Sequence, residues 1–411
     1  MRMKLLILSQ YYDPEPVPKA AELARAMTAR GHDVSVITGF PNYPTGVLYP
    51  GYRLAAMRGE RIDGIPVTRT FEFPYHGTKV AGRLFNYWSF VASSLLAARR
   101  ARGHHVMYVW HPPLTIGVAA WLLGKLAGVR FVYDVQDIWP ESAVLSGMMR
   151  EGWMTRLMRR LEKFVYARAA HLLVVTEGAK GNLVSKGVPA EKVSVTPHWV
   201  DESAFGETSD EQRNAARRDL GWGDDFVVLF AGNLGLVQGL DSVIRAAAEL
   251  PRGGDIRVAL MGEGADKERL ESLAAELGVT DRLQFVPRQP ASAMPVMMAA
   301  ADALLVHLRR SELSRWVIPS KTLSYLAAGR PIVMAMEGEA ADLVAAAEAG
   351  VVIPPDDPPL LARTFIELRD MSRQEREAYG VRGRAYLRAN LTKQRILDRY
   401  EEILRRVAAK E

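Results

Sequence analysis

Three glycines fall within eight residues in the stretch FAGNLGLVQGLD, Phe230 to Asp241, between the apolar run FVVLF and the helical pattern DSVIRAAAEL. Bare backbone at the carboxyl end of a strand lets N–H groups converge at a helix N-terminus, where the macrodipole is also positive, and anions bind there. Asn233, Leu234, Gly235, Gln238 and Gly239 are therefore the first candidates for holding a phosphorylated ligand. The same glycines would also serve a tight turn with no ligand. A second glycine turn, Gly262-Glu263-Gly264 in LMGEGADKERL, follows the next strand and favours a nucleotide-binding half. No GxGxxG follows the first strand, and no acidic residue stands where it would hold a ribose, so a dinucleotide fold is not expected.

RWVIPSKTLSYLAAGRPIVM places Lys321 in the first turn of a helix, behind Pro319 and Ser320, a proline and a hydroxyl suited to helix initiation. A lysine there opposes the macrodipole, and a bound anion would reverse the sign. The alternative is a solvated lysine on a long stem. His111 ends the run VMYVW ahead of two prolines. Asp134 and Asp137 lie in YDVQDIWPE, where one would orient a hydroxyl or act as a base and the other cap the following helix. EPVPK, Glu15 to Lys19, makes a stiff loop with few N–H donors, leaving Lys19 to contribute charge.

These residues need a scaffold that gathers strand ends. Short β-rich runs alternate with helical patterns: KLLILSQ, DVSVITGF, PVTRTFEF, VMYVWH, RFVYDVQD, HLLVVTE and VSVTPHW, then, after a polar interval, FVVLFAGN, IRVALMGEG, LQFVPR, ALLVHL, PIVMAM and GVVIPP. Near-continuous apolar strands between helices imply α/β architecture, two doubly wound parallel sheets covered on both faces, with a boundary near Asp201. In such sheets ligands gather at the carboxyl ends of the strands, and the crevice between two such edges is the expected site.

With 411 residues, 48% hydrophobic and 24% charged, the chain is long enough for two globular domains. It has no cysteine, which excludes disulfides and thiolate metal sites. The opening apolar run is too short for a signal sequence and reads as a first strand, and no run reaches membrane-spanning length. A formal net charge of +6 favours acidic partners, but without an arginine-rich tract nucleic acid is not expected.

TGFPNYPTG, HPPLTIG, YDVQDIWPES, AGNLGLVQGLDSVIRAA and PSKTLSYLAAGRPIV, in that order, resemble retaining nucleotide-sugar glycosyltransferases of family 4, in particular the branch of the N-acetylfucosaminyl and colanic-acid glycosyltransferases of bacterial surface polysaccharide synthesis. The likeness covers essentially the whole chain. It implies a GT-B fold, two Rossmann-like domains facing across a cleft: residues 1–200 for the acceptor, 201–394 for the donor, and a C-terminal helix over about 395–411 packing back on the first. The implied donor contacts are the two glycine loops with Arg288, Pro319, Ser320 and Ser324. The implied acceptor contacts are Glu15, Lys19, Asn42, Tyr43, Asp134 and Trp139. His111, at the position of a histidine near the donor sugar, Lys321 and Asp137 are the implied catalytic residues.

Where many members carry an arginine and a lysine for the diphosphate, this chain has Asn233 and Gln238; where they carry a Glu-x7-Glu pair, it has Trp316 and Ser324. Neutralising a diphosphate then falls to Lys321, with Arg330 or Arg288 as helpers. The chain has no Asp-x-Asp triplet, adjacent His104 and His105 do not easily face one ion, and basic groups with helix termini would stabilise a leaving diphosphate, so neither metal nor cofactor is expected. The expected activity is transfer, with retention, from a nucleotide-sugar, a UDP-sugar, to a glycan or polyprenyl-diphosphate-linked acceptor in O-antigen, capsule or exopolysaccharide synthesis. The alternatives are a nucleotide-sugar 2-epimerase of the same fold or a non-catalytic nucleotide-sugar-binding scaffold. GTKVAGRLFNYWSFVASSLLAARRARG and GWMTRLMRRLEKFVYARAA mix aromatic, aliphatic and basic residues as interfacial helices do, so a cytoplasmic protein peripheral at the inner face of the cell membrane is expected.

Overall fold

The structure is a computed structural model and describes residues 2–77, 79–145, 149–206 and 208–409. It divides into two compact units, Met1–Thr196 with Leu397–Glu411, and Pro197–Ile396.

The first unit is built on an eight-stranded sheet in the order β3-β4-β2-β1-β5-β6-β7-β8. The strands are β1 (Lys4–Leu8), β2 (Asp33–Thr38), β3 (Met57–Ile62), β4 (Ile65–Thr70), β5 (Val106–Trp110), β6 (Phe131–Val135), β7 (His171–Val174) and β8 (Val193–Val195). All neighbours run parallel except β3 and β4, which pair antiparallel as a hairpin closing on Ile62 and Ile65. The apolar-run pattern misses β3, because MRGERI is charged and largely exposed. Its signal is the dipeptide Asp63-Gly64, with φ of +51° and +78°, the left-handed pair that a two-residue hairpin turn requires.

Helices α1 (Pro18–Ala29), α2 (Val80–Ser94), α3 (Ile116–Ala127) and α4 (Trp153–Arg168) pack around this sheet. α3 shows how the sequence sets their ends: Ile116, Ala119, Ala120 and Leu123 are buried at helical spacing, and Gly128 stops the helix in the left-handed conformation at φ +74°.

The second unit holds a wholly parallel six-stranded sheet, β11-β10-β9-β12-β13-β14. Its strands are β9 (Phe226–Ala231), β10 (Ile256–Met261), β11 (Leu283–Val286), β12 (Ala303–His307), β13 (Ile332–Ala335) and β14 (Gly350–Ile353). Every residue of β9 is buried, as expected of a central parallel strand covered on both faces. Val228, Phe230, Leu260 and Leu305 have no exposed surface, and each such side chain contributes about 1.5–3 kcal/mol. α5 (Leu240–Glu249), α6 (Lys267–Glu276) and α7 (Ser320–Ala328) follow β9, β10 and the segment after β12.

The last helix, α8 (Lys393–Ala409), belongs to the first unit from Leu397 onward. Arg30 pairs with Asp398 and Glu401 at 2.7 Å each, and Arg130 donates to the carbonyl of Val407 at 2.7 Å.

Candidate functional site

In the second unit, β9 and β10 end side by side and leave the sheet through Gly232 and Gly262, at φ of +153° and +148°. Their loops then bond to each other. Gly232 N–H donates to the Met261 carbonyl at 2.9 Å, Leu234 N–H to that of Glu263 at 2.9 Å, and Asp266 N–H to that of Leu234 at 3.0 Å. A Cβ on Gly262 would stand 1.9 Å from the Gly232 oxygen, and one on Gly264 2.2 Å from the Leu234 oxygen. These glycines therefore serve close backbone packing. Four of the N–H groups the sequence offers to a ligand, those of Gly232, Leu234, Gln238 and Gly239, are consumed, and the Leu234 side chain is core. Among the described residues the N–H groups of Asn233 and Gly235 bond to nothing in the chain.

Beside this loop lies Lys321, in the first turn of α7. Pro319 is the N-cap, and Thr322 N–H bonds to its carbonyl at 2.9 Å. The Ser320 hydroxyl is exposed and caps nothing, a correction to its reading as a helix-initiating hydroxyl. Lys321 Nζ sits 3.5 Å from the centroid of the Phe230 ring and donates to Gln238 Oε1 at 3.2 Å. A Cβ on Gly232 would come 2.9 Å from Nζ, so glycine there leaves the ammonium its room. Among the described residues no carboxylate pairs with Lys321. The side chain is only half-buried, yet its ammonium is packed among protein atoms, and burial lowers its pKa to about 7. The cation is thus partly discharged at neutral pH until an anion joins it.

Phe230, Tyr325 and His307 hold this arrangement and escape a search for charged motifs. The Tyr325 hydroxyl accepts from Ala231 N–H at 2.9 Å, tying α7 to the end of β9. His307 Nδ1 donates to the Gln238 carbonyl at 2.7 Å. Tyr325 was visible in principle, since it lies four residues beyond Lys321 on the same helix face.

Ser324 and Trp316 are half-buried, and Glu263 is exposed and paired with Lys267 at 2.9 Å. Arg288 is exposed in the loop after β11. Arg330 lies beyond the far end of α7, just ahead of β13, where it donates to the Ala299 carbonyl at 2.6 Å; burial, then neighbouring Arg213, lowers its pKa to about 10. That is the amino edge of the sheet, opposite Lys321, so Arg330 is no helper for the same anion.

In the first unit the corresponding edge is made of side chains. Glu15 is buried and bridges two loops, its Oε1 accepting the N–H groups of Asn42 and Tyr43 at 2.8 Å each and its Oε2 that of Tyr12 at 3.0 Å. Asn42, also buried, donates to the Phe40 carbonyl at 2.9 Å and to Glu72. Lys19 Nζ bonds Gln136 at 3.2 Å and lies 3.6 Å from Asp134. Asp134 has no exposed surface, and it accepts from Tyr108 at 2.5 Å, Tyr400 of α8 at 3.0 Å and Gln136 at 2.5 Å. The expectation that Glu15 and Asp134 meet an acceptor is corrected accordingly: both oxygens of each carboxylate are taken up within the chain, holding loops and the last helix together, while half-buried Lys19 and the unpartnered Asn42 Oδ1 stay at the edge.

Tyr43 does face the edge, in a cluster with Tyr11 and His76 at ring distances of 5.0 and 5.1 Å; Trp110 stands edge-on to Tyr11 at 6.5 Å. Around them Gln10 Oε1, Asn42 Oδ1, Thr70 Oγ1, Glu72 Oε2, His76 Nε2, Trp110 Nε1 and His111 Nδ1 are buried without a partner in the chain. Glu72 is fully buried, and burial first, then the charge of Glu15, holds its carboxyl well above the usual range. His111 packs against Tyr133 at 5.7 Å, and burial lowers its pKa to about 3, leaving a neutral imidazole. It therefore sets no positive charge against a cation developing on the sugar. Asp137 and Trp139 follow β6 at the same edge; Trp139 is half-buried, while Asp137 is exposed and unpartnered among the described residues. Protein crowding raises the Asp137 pKa, a direction that its solvent access tempers.

Residues 16–199 match the glycosyl transferase 4-like domain and residues 212–386 the glycosyl transferases group 1 domain. A colanic acid biosynthesis glycosyl transferase of Escherichia coli (strain K12), WcaI, is 30% identical over 348 residues, 82% of this chain and 84% of that one. The chain belongs to the family 4 glycosyltransferases. The Anabaena protein HepE, solved in complex with UDP, superposes on this glycosyltransferase with a TM-score of 0.73 at 19% identity over 98% and 99% of the two chains. WaaG, a glycosyltransferase involved in lipopolysaccharide biosynthesis, does so at 0.68 and 18% over 97% and 99%. At these identities the likeness shows the fold, which is GT-B.

Proposed function

We propose that this glycosyltransferase moves a sugar, with retention and without a metal, from a UDP-sugar to a glycan or polyprenyl-diphosphate-linked acceptor of a bacterial cell-surface polysaccharide, at the inner face of the cell membrane. The observation that carries the donor reading is Lys321, a half-buried cation without a counter-ion beside two unbonded N–H groups. Relatives and structural neighbours named for colanic acid synthesis, lipopolysaccharide synthesis and UDP binding support the substrate classes.

In this reading the diphosphate oxygens accept from Asn233 and Gly235 N–H and from Lys321. Charge grows on the leaving phosphate as the sugar departs, and a preorganised ammonium stabilises that charge more than the ground state, which is what lowers a barrier. Gln238 and Phe230 aim the ammonium before the ligand arrives. On the first unit Asp137 carries the open carboxylate for the acceptor hydroxyl, and neutral His111 can donate only a hydrogen bond, to a sugar hydroxyl.

The test is a UDP-sugar panel offered with a lipid-diphosphate sugar acceptor in the presence of a chelator, with the product anomer read by NMR. Transfer with the donor's anomeric configuration is expected. Epimerised donor in the absence of acceptor, or binding without turnover, overturns the reading.

A further inference from the structure

The helices on one face of the first unit's sheet leave a large apolar and basic surface bare. α2 packs on α3 and α3 on α4, so the three form one layer. On α2, Val80, Leu84, Phe85 and Trp88 are 54%, 44%, 58% and 45% exposed. Their spacing puts them on one side of the helix. On α4, Trp153 and Leu157 are 69% and 56% exposed, and Arg156, Arg160 and Lys163 share their side. Isolated exposed apolar residues need no explanation, but contiguous ones rimmed by charge mark an interaction surface.

Charge selects the partner. Residues 73–133 contain no aspartate or glutamate, but they do contain Lys79, Arg83, Arg99, Arg100, Arg102, Lys125 and Arg130. Glu162, the acid of α4, is buried and held by Lys186 at 2.7 Å, and Glu151 ahead of that helix is held by Arg159. Thr78, in the same segment, lies outside the described residues. A second copy of the chain would set cation against cation here, whereas an anionic bilayer accepts both the rings and the charges.

We propose that α2 and α4 form a docking face for an anionic lipid bilayer, with Phe85, Trp88, Trp153 and Leu157 entering the acyl boundary and Arg83, Arg156, Arg160 and Lys163 meeting headgroup phosphates. It rests on the membrane-side acceptor proposed above and adds which surface does the seating. The position suits that acceptor: Asn86, on the inner side of α2, accepts from Gln10 at 2.8 Å and donates to the Phe73 carbonyl at 2.6 Å, so the docking helix borders the polar, aromatic edge.

The test is co-sedimentation of the full chain with vesicles of phosphatidylcholine alone and of phosphatidylcholine with phosphatidylglycerol, beside calorimetry of UDP binding. Capture by the anionic vesicles, weakened by salt, is expected. Each surface cation removed should lower partitioning about fivefold, so Arg156→Ala with Arg160→Ala lowers it about 25-fold. Phe85→Ser with Trp88→Ser should also release the protein, and both double variants should keep wild-type UDP affinity. Absence of capture, capture indifferent to both double variants, or a solution dimer dissolved by Phe85→Ser with Trp88→Ser overturns the docking face. UDP binding without vesicle capture sinks this inference and leaves the donor reading standing; vesicle capture without UDP binding does the reverse.

Discussion

The two carboxyl edges are opposite solutions to ligand recognition on similar sheets. In the second unit the edge is backbone: loops stitched by main-chain bonds, glycines at contact distances no Cβ could occupy, and a lysine, Lys321, that no carboxylate pairs among the described residues. In the first it is side chain: an aromatic cluster over seven buried polar atoms without partners, against Thr322 Oγ1 alone at the other edge among the described residues. Backbone donors and a point charge suit a diphosphate, which varies little between donors. Unsatisfied side-chain donors and acceptors suit sugar hydroxyls, whose positions differ from one acceptor to the next, because a buried polar group left unpaired penalises the wrong ligand.

If the contrast holds, a single methyl group should break the backbone-built edge. Gly262→Ala adds a Cβ 1.9 Å from the Gly232 oxygen at a φ of +148°, and should destabilise the second unit by about 3 kcal/mol or more, read by denaturant unfolding. On the other edge the comparable loss comes from charge. Asp134→Asn removes the carboxylate 3.6 Å from half-buried Lys19 and weakens the hold of Tyr400, at a cost of about 3 kcal/mol. Wild-type stability in Asp134→Asn would return that carboxylate to the acceptor site. Lys321→Ala should lower kcat by about 10²-fold with the fold intact; near-normal turnover would remove the lysine from the leaving-group role. Tyr43→Ala and His76→Ala should each raise the acceptor KM about tenfold, the worth of roughly one stacking or hydrogen-bond contact, while UDP affinity stays put. A loss of UDP affinity would show that the two edges do not divide the labour this way.

Most of the scaffold was legible because parallel β/α alternation writes itself in hydrophobic periodicity: thirteen of the fourteen strands coincide with apolar runs. β3 escaped because an edge strand need bury neither face. Lys321 was legible too, since a cation at a helix start is a local conflict that a ligand resolves. What failed was the inference from position after a strand to exposure. Asp134 and Glu15 occupy strand-end positions typical of ligand contacts, yet tertiary packing turned both inward, onto Tyr400 and onto the loop amides of Asn42 and Tyr43. Arg330 failed for a simpler reason: it is nine residues from Lys321 in sequence, but the intervening helix carries it to the other edge of the sheet. Periodicity reports which face of an element is buried. Whether a polar side chain at its end turns to solvent or to a neighbour is set by residues far away in sequence.

The smallest predicted effect separates the edges by pH. Lys321 titrates near 7 in the free protein, well below the 10.5 of an ordinary lysine, so between those values the folded chain holds fewer protons than the unfolded one. Folding stability of the unliganded protein therefore rises with pH through this window and declines as pH falls toward 7. Nucleotide-sugar binding runs the other way, because the diphosphate favours the protonated lysine. Affinity should weaken about fivefold from pH 7 to pH 8, and binding at pH 8 should take up a proton, visible as an enthalpy that depends on the buffer's ionisation heat. Lys321→Met should abolish the proton uptake and raise the Tm by a few degrees, trading function for a better-packed interior. Neutral His111 predicts no matching step on the acceptor side between pH 7 and 8, so a pH-dependent acceptor KM in Lys321→Met would point to a carboxyl of that edge, Glu72 or Asp137, whose pKa values burial raises.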